Sequence, residues 1–239
     1  MIFAGICAGG KGERFGGDMP KQFLTLKGKP VIVHSVERFL QYGKCERVFV
    51  AVSAEWTEYC RELFAHYNSI SVVEGGADRG ETVERLVNAA YAEGGSDGDI
   101  IATHDAARPF VDVEVIKRCV EAAEEFGVSG AAVAAKDTVL QCRDGFVTAA
   151  PPRSEMLMAQ TPQCFKLGIF RRIWGELSDG EKMAATDVCG VFYRAGADVR
   201  IVEGSSECFK ITTWEDLKRA ELAAPDSEAK GLKWPRRMH

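Results

Sequence analysis

Short apolar runs alternate along the chain with longer stretches in which apolar residues recur at helical spacing. Ile2–Cys7, Arg47–Val52, Ser71–Glu74, Ile100–His104, Gly130–Ala135 and Val199–Glu203 are four to six residues long and predict strands. Between them, Pro30 opens a helical pattern of Val31, Val33, Val36, Phe39 and Leu40 that stops at Gly43. Further helices are predicted for Glu55–Tyr67, Glu81–Ala92, a segment capped by Asp112, Gly168–Leu177, Thr186–Ala195, and the stretch after Thr213. Thr213 and Asp216 have the spacing of an N-cap pattern. Such alternation predicts an α/β fold with a mainly parallel sheet, in which ligands sit beyond the carboxyl ends of the strands.

The alternation breaks at Thr138–Ala149, where two β-like runs flank Arg143-Asp144-Gly145. Asp-Gly favours a tight hairpin turn. An arm over residues 137–152 could grip a second subunit or pack on its own domain. Thr161-Pro162-Gln163 is read as a turn, and the polar tail of residues 225–239 as loose. The whole chain, 239 residues, is read as one domain.

Composition narrows the class. With 46% hydrophobic and 27% charged residues the chain is globular, and it has no apolar stretch long enough to span a membrane. A net charge of -5 argues against nonspecific nucleic-acid binding. The N-terminus lacks the layout of a signal peptide, so a cytoplasmic location is expected. Eight cysteines without a C-x-x-C pair read as reduced, mostly buried thiols rather than a zinc site.

Chemistry concentrates just after the strands. Ala8-Gly9-Gly10-Lys11-Gly12-Glu13-Arg14 places three glycines in four positions directly after the first strand. Such a loop turns tightly and aims N–H groups at phosphate oxygens. It is not the G-x-G-x-x-G dinucleotide loop, since Phe15 stands at the last position, and it is not a P-loop, since Gly12 follows Lys11. Arg14 and Lys21 supply two cations to the same region, suited to neutralising an α-phosphate as charge builds on it. His104-Asp105-Ala106-Ala107-Arg108-Pro109 ends another strand, and there Asp105 is a candidate Mg²⁺ ligand with Arg108 beside it. His104 reads better as a satisfied core histidine. Gly75-Gly76-Ala77-Asp78-Arg79-Gly80-Glu81-Thr82 follows a third strand and opens a helix, with small residues that could meet a flat base edge and a Thr82 hydroxyl to donate to it.

These motifs, together with Pro20-Lys21-Gln22, Gln160-Thr161-Pro162-Gln163, Thr186-Asp187 and Lys210-Ile211-Thr212, resemble the cytidylyltransferase family of methylerythritol-phosphate and ribitol-phosphate enzymes. The resemblance implies a Rossmann-like, mainly parallel twisted sheet with helices on both faces and a protruding β-hairpin arm that supports a homodimer. It further implies CTP and a small polyol phosphate as substrates, with Mg²⁺ as cofactor. Ala8, Gly9, Gly10 and Gly12 would cradle CTP, while Gly76 and Thr82 would help recognise cytidine. Arg14, Lys21 and Lys210 would be catalytic and Asp105 the metal ligand. Arg108, Arg153, Thr161 and Thr186 would surround the acceptor, with Arg153 serving the neighbouring subunit's site. Pro151-Pro152 before Arg153 and Cys208 before Lys210 depart from the methylerythritol pattern. Ala8-Gly9-Gly10 and the stretch from Leu177 to Cys189 are closer to the ribitol branch, whereas Asp105–Pro109 is closer to the methylerythritol branch. Ribitol 5-phosphate is the expected acceptor, with methylerythritol phosphate of isoprenoid biosynthesis as the alternative. A glycosyltransferase would show Asp-x-Asp at the metal strand, and a noncatalytic nucleotide binder could dispense with Lys21, Asp105 and Lys210.

Overall fold

The computed structural model of the chain describes residues 1–10, 19–185 and 187–224. From the N-terminus, β1 (Ile2–Cys7) is followed by the two-residue strands β2 (Thr25–Leu26) and β3 (Lys29–Pro30) and by α1 (Val31–Tyr42). Next come β4 (Arg47–Val52), α2 (Thr57–Phe64), β5 (Ile70–Glu74), α3 (Arg79–Ala92), β6 (Ile100–Asp105), α4 (Val113–Phe126) and β7 (Val128–Ala134). The second part contains β8 (Gln141–Arg143), β9 (Phe146–Ala149), β10 (Leu157–Lys166), α5 (Leu167–Glu176), α6 (Asp179–Met183), α7 (Val188–Arg194), β11 (Arg200–Glu203) and α8 (Trp214–Ala223).

Seven strands form one sheet in the order β11-β7-β10-β6-β1-β4-β5. All neighbours run parallel except β10, which is antiparallel to both β6 and β7. Successive side chains of the inner strands enter different cores. Ala4, Ile6, Val48, Val50 and Val52 pack on one face with α1, α2 and α4, while Phe3, Phe49 and Ala51 pack on the other with α3, α5 and α7. Burial on both faces explains why β1 and β4 are continuous apolar runs in sequence. Gly43, in the left-handed region at φ 71°, ends α1. Pro30 occupies the N-cap of that helix rather than its first turn.

Several segments differ from the sequence reading. Thr161-Pro162-Gln163 is not a turn between elements but part of β10, near the middle of the sheet. Proline, which removes a ladder donor, is accommodated because the β10–β7 register shifts between Ala159 and Gln163. The helix read as Thr186–Ala195 begins at Val188, with the Asp187 carboxylate accepting the Gly190 amide. The short α6 arises from a capping box between Ser178 and Glu181. The hairpin β8–β9 does form, as a separate two-stranded sheet, and residues 140–150 are all exposed, so it does not pack on its own domain.

A third apolar cluster (Leu26, Val31, Ile211, Leu217 and Ala220) docks α8 on the β2–β3 hairpin. It carries the chain after β11 back across the carboxyl ends of the central strands. No helix among the described residues is long and apolar enough to cross a membrane.

Candidate active site

The carboxyl ends of β1, β4 and β6 are level, with Cys7 paired to both Ala51 and Asp105. Beyond them lies a cavity of ≈ 610 Å³. Ala8, Gly9 and Gly10 form one wall, Lys21 and Gln22 a second, Gly76 to Arg79 with Thr82 a third, and Asp105 to Ala107 with Lys210 and Thr212 the floor. The four sequence motifs around the cavity are separated by tens of residues and meet because each follows a strand or returns over a strand end.

Asp105 is the electrostatic centre of the floor. Its carboxylate receives Arg79 on Oδ1, and Arg108 (3.3 Å) and Lys210 (3.0 Å) on Oδ2. Burial alone would raise the Asp105 carboxyl, but Arg79, then Lys210 and Arg108, outweigh it and hold it well below the usual carboxylate range. Burial likewise opposes the Arg79 charge, and Asp105 overrides that and raises its guanidinium further. Three cations around one carboxylate leave the floor with a positive excess, suited to a polyanion. Motif spacing places Arg79 only within a glycine loop and gives it no role. The signal for one is its position as the first residue of α3, because a helix start after a strand faces the ligand side.

Lys210 reaches Asp105 because its segment is tied to the β6 loop. Ile211 N–H donates to Ala107 O at 2.8 Å, and Arg108 Nη1 donates to Cys208 O at 2.9 Å. The Cys208 thiol, buried, donates to Thr161 O. Arg108 thus lies under the floor, holding Asp105 and the Lys210 segment together.

Thr161 also lies beneath the floor and not at the cavity surface expected for an acceptor contact. Its hydroxyl accepts the Asp105 amide at 3.1 Å and donates to His104 Nδ1 at 2.8 Å. His104 Nε2 in turn donates to Arg108 O at 3.1 Å. Burial pushes His104 down to about 4, so the ring is neutral, as a satisfied core histidine.

The third wall is self-contained. Thr82 Oγ1 accepts Gly76 N–H at 3.0 Å and donates to Asp78 O at 2.7 Å. Its proton is directed within the loop, while its side chain borders the cavity as expected. Ala77 N–H is taken by Glu81 Oε2 at 2.7 Å. A Cβ at Gly76 would lie 2.4 Å from Glu81 Cβ, so only glycine fits there. The Gly76 and Ala77 amides are thus both bonded within the loop.

Of the other expected residues, Lys21, Ala8, Gly9 and Gly10 all border the cavity. Arg153 does not; it is exposed at the base of the arm, where Nη1 donates to Lys136 O at 3.3 Å. Gly12, Arg14 and Thr186 lie outside the described residues. The Cys7 thiol borders the cavity but is pushed up by burial, which keeps it protonated and unsuited to nucleophilic attack.

The chain matches the model of the family described as 2-C-methyl-D-erythritol 4-phosphate cytidylyltransferase (IspD) over residues 2–224. Among solved structures it is similar to the 2-C-methyl-D-erythritol 4-phosphate cytidylyltransferase of Francisella tularensis, with 27% identity, 93% of this chain and 99% of that one covered, and a TM-score of 0.78. The corresponding Thermus thermophilus structure is 26% identical, with 93% and 98% covered and a TM-score of 0.71. The 4-diphosphocytidyl-2C-methyl-D-erythritol synthase of Anaerococcus prevotii, at 22% identity, 93% and 97% coverage and a TM-score of 0.77, shares the fold. The names of these relatives specify methylerythritol, and the expectation of ribitol 5-phosphate gains no support from them.

Proposed function

The chain belongs to the 2-C-methyl-D-erythritol 4-phosphate cytidylyltransferase family and is a nucleotidyltransferase; from that premise we propose that it transfers CMP from CTP to 2-C-methyl-D-erythritol 4-phosphate. The observation that carries this reading is the cavity floor, where Arg79, Arg108 and Lys210 surround Asp105 beneath a glycine-rich wall. Two polyanions must meet for the reaction to occur, and fixed cations lower the cost of that encounter.

A phosphate oxygen of the acceptor attacks the α-phosphorus in line, the bond from that phosphorus to the bridging oxygen of the β-phosphate breaks, and pyrophosphate leaves. Lys21 and Lys210 both border the cavity and would stabilise the charge that builds on the α-phosphate oxygens. The glycine wall would hold the triphosphate through backbone amides. No covalent enzyme intermediate is needed, consistent with the protonated Cys7.

Mg²⁺ would be held by Asp105 as its single protein carboxylate, a donor number this cation accepts when phosphates complete its shell. Bound there, it would neutralise phosphate charge. The side chains paired with Asp105 are all cations, so the remaining ligands would be phosphate oxygens and water.

The exposed hairpin supports a homodimer. Phe146 is 77% exposed, with Val147 and Leu140 also exposed on the arm and Leu157 and Met158 exposed at the start of β10. In such a dimer Arg153, exposed at the base of the arm, would serve the neighbouring cavity.

The test is pyrophosphate release with each nucleoside triphosphate against methylerythritol phosphate and ribitol 5-phosphate. Turnover of CTP with methylerythritol phosphate, exceeding that with ribitol 5-phosphate by at least about tenfold in kcat/KM, is expected. Preference for ribitol 5-phosphate would reverse the acceptor assignment, and preference for another nucleotide would overturn the reading as a whole.

A further inference from the structure

Gln22 follows Lys21 in a 3-10 turn, Lys21–Phe23, and its side chain is almost wholly buried although it touches the cavity. A buried amide must satisfy its polar atoms. Its Nε2 donates to Ala8 O at 2.5 Å and to Gly10 O at 3.2 Å. Both hydrogens of one NH₂ group are thereby spent on the glycine wall, on carbonyls two residues apart.

This has a geometric consequence. In a planar trans peptide the C=O and the following N–H point in opposite directions. Drawing the Ala8 carbonyl onto Gln22 turns the Gly9 N–H away from it. It also removes two carbonyl oxygens from the surface that a phosphate would approach, where they would repel it. Glycine allows other peptide orientations at little cost, so the loop's own sequence does not select this one. Gln22 does.

The same turn is fixed from behind. Phe23, buried, stacks on Trp56 with ring centroids 4.5 Å apart and meets Tyr59 edge-on at 5.2 Å. Ala8 N–H is bonded to Ala51 O at 2.7 Å, which anchors the start of the glycine wall to β4. Gln22 joins these two anchored pieces across the cavity edge.

We infer that Gln22 is a positioning residue for the transfer step: it sets the glycine wall and Lys21 in one fixed relation, so that backbone donors and ammonium address the same phosphate together. The inference rests on the CMP-transfer reading above. Gln22 itself exchanges no proton and forms no bond with the substrate. Its effect falls mainly on kcat, because misplacing a stabilising group by about 1 Å can cost on the order of 100-fold in rate.

The experiment is a double-mutant cycle on Lys21→Ala and Gln22→Met, read by steady-state pyrophosphate release. Methionine matches glutamine in length and donates no hydrogen bond. Alone, Gln22→Met is expected to lower kcat about 30-fold while KM for the acceptor stays within about twofold. On the Lys21→Ala background the same change is expected to cost less, about threefold, since the ammonium is gone and only the glycine wall remains for it to position. Equal fold losses on both backgrounds, or an unchanged kcat in folded Gln22→Met, would overturn the inference. Should Gln22→Met not fold, Gln22→Asn is read the same way, because its amide is one methylene too short for the two carbonyls. Wild-type turnover of CTP is measured alongside. Its absence would refute the transfer reading, while its presence leaves the cycle as a test of Gln22 alone.

Discussion

Thr161 Oγ1 lies 2.8 Å from His104 Nδ1, and the same oxygen accepts the Asp105 amide at 3.1 Å. One hydroxyl on β10 therefore orients both the histidine and the backbone of the carboxylate that organises the cavity floor. Thr161→Val preserves the shape and leaves a buried ring nitrogen and a buried N–H unpaired. A loss of about 2–3 kcal/mol in urea unfolding is expected, with Thr161→Ser close to wild type. A valine variant as stable as wild type would show that the hydroxyl orients nothing of consequence.

The neutral His104 has a signature in pH. In the unfolded chain it protonates near its ordinary 6.5, whereas burial lowers it to about 4 in the fold. Between these values the unfolded state binds more protons, so the stabilising contribution is complete above pH 6.5 and is lost as pH falls toward 4. The slope approaches about 1.4 kcal/mol per pH unit at most. His34, also lowered by burial, adds to it with the same sign. Asp105 belongs to a separate window, since its contribution is lost only below its ordinary 3.8. Unfolding free energies measured from pH 7 to 4 are expected to fall less steeply for His104→Gln than for wild type. Parallel curves would mean that His104 is not buried neutral.

Lys21 borders the cavity beside the glycine wall. Its charge matters most when the α-phosphate carries its greatest charge, so Lys21→Ala is expected to lower kcat by about 100-fold or more. Binding of CTP, measured calorimetrically, should weaken by no more than about tenfold. An unchanged kcat would remove Lys21 from the mechanism.

Asp105→Asn leaves Arg79, Arg108 and Lys210 without their common counter-charge. The floor loses its candidate Mg²⁺ ligand, so KM for CTP is expected to rise at limiting Mg²⁺. The floor also loses the group that orders its cations, and kcat is expected to fall about 100-fold. Activity insensitive to this change would deny Asp105 any part in organising the site.

The arm offers a test of assembly. Phe146→Ser at its exposed tip removes the largest apolar contact available there. Sedimentation should shift from dimer to monomer, with a rise of about tenfold in KM for the acceptor if Arg153 serves the neighbouring cavity. A dimer that persists unchanged would place the interface elsewhere.

The sequence by itself determined the parallel strands and their helices, because residues buried on both sheet faces must be apolar without interruption and helices must repeat at their own period. It also pointed to the glycine wall and Asp105 as cavity residues, since these stand at strand ends, where an α/β sheet opens to ligand, and Lys21 borders the same cavity. The tertiary structure decided β10, whose proline reads as a break until the register shift beside it is seen. It decided that Thr161 and Arg108 brace the floor from below, and that the Thr82 proton stays within its own loop. It also brought Arg79 and Lys210 onto one carboxylate across more than a hundred residues of chain. Local pattern reports which face of an element is buried. Which distant side chains share a hydrogen bond or a charge depends on how the strands are ordered, and that order is a property of the packed sheet.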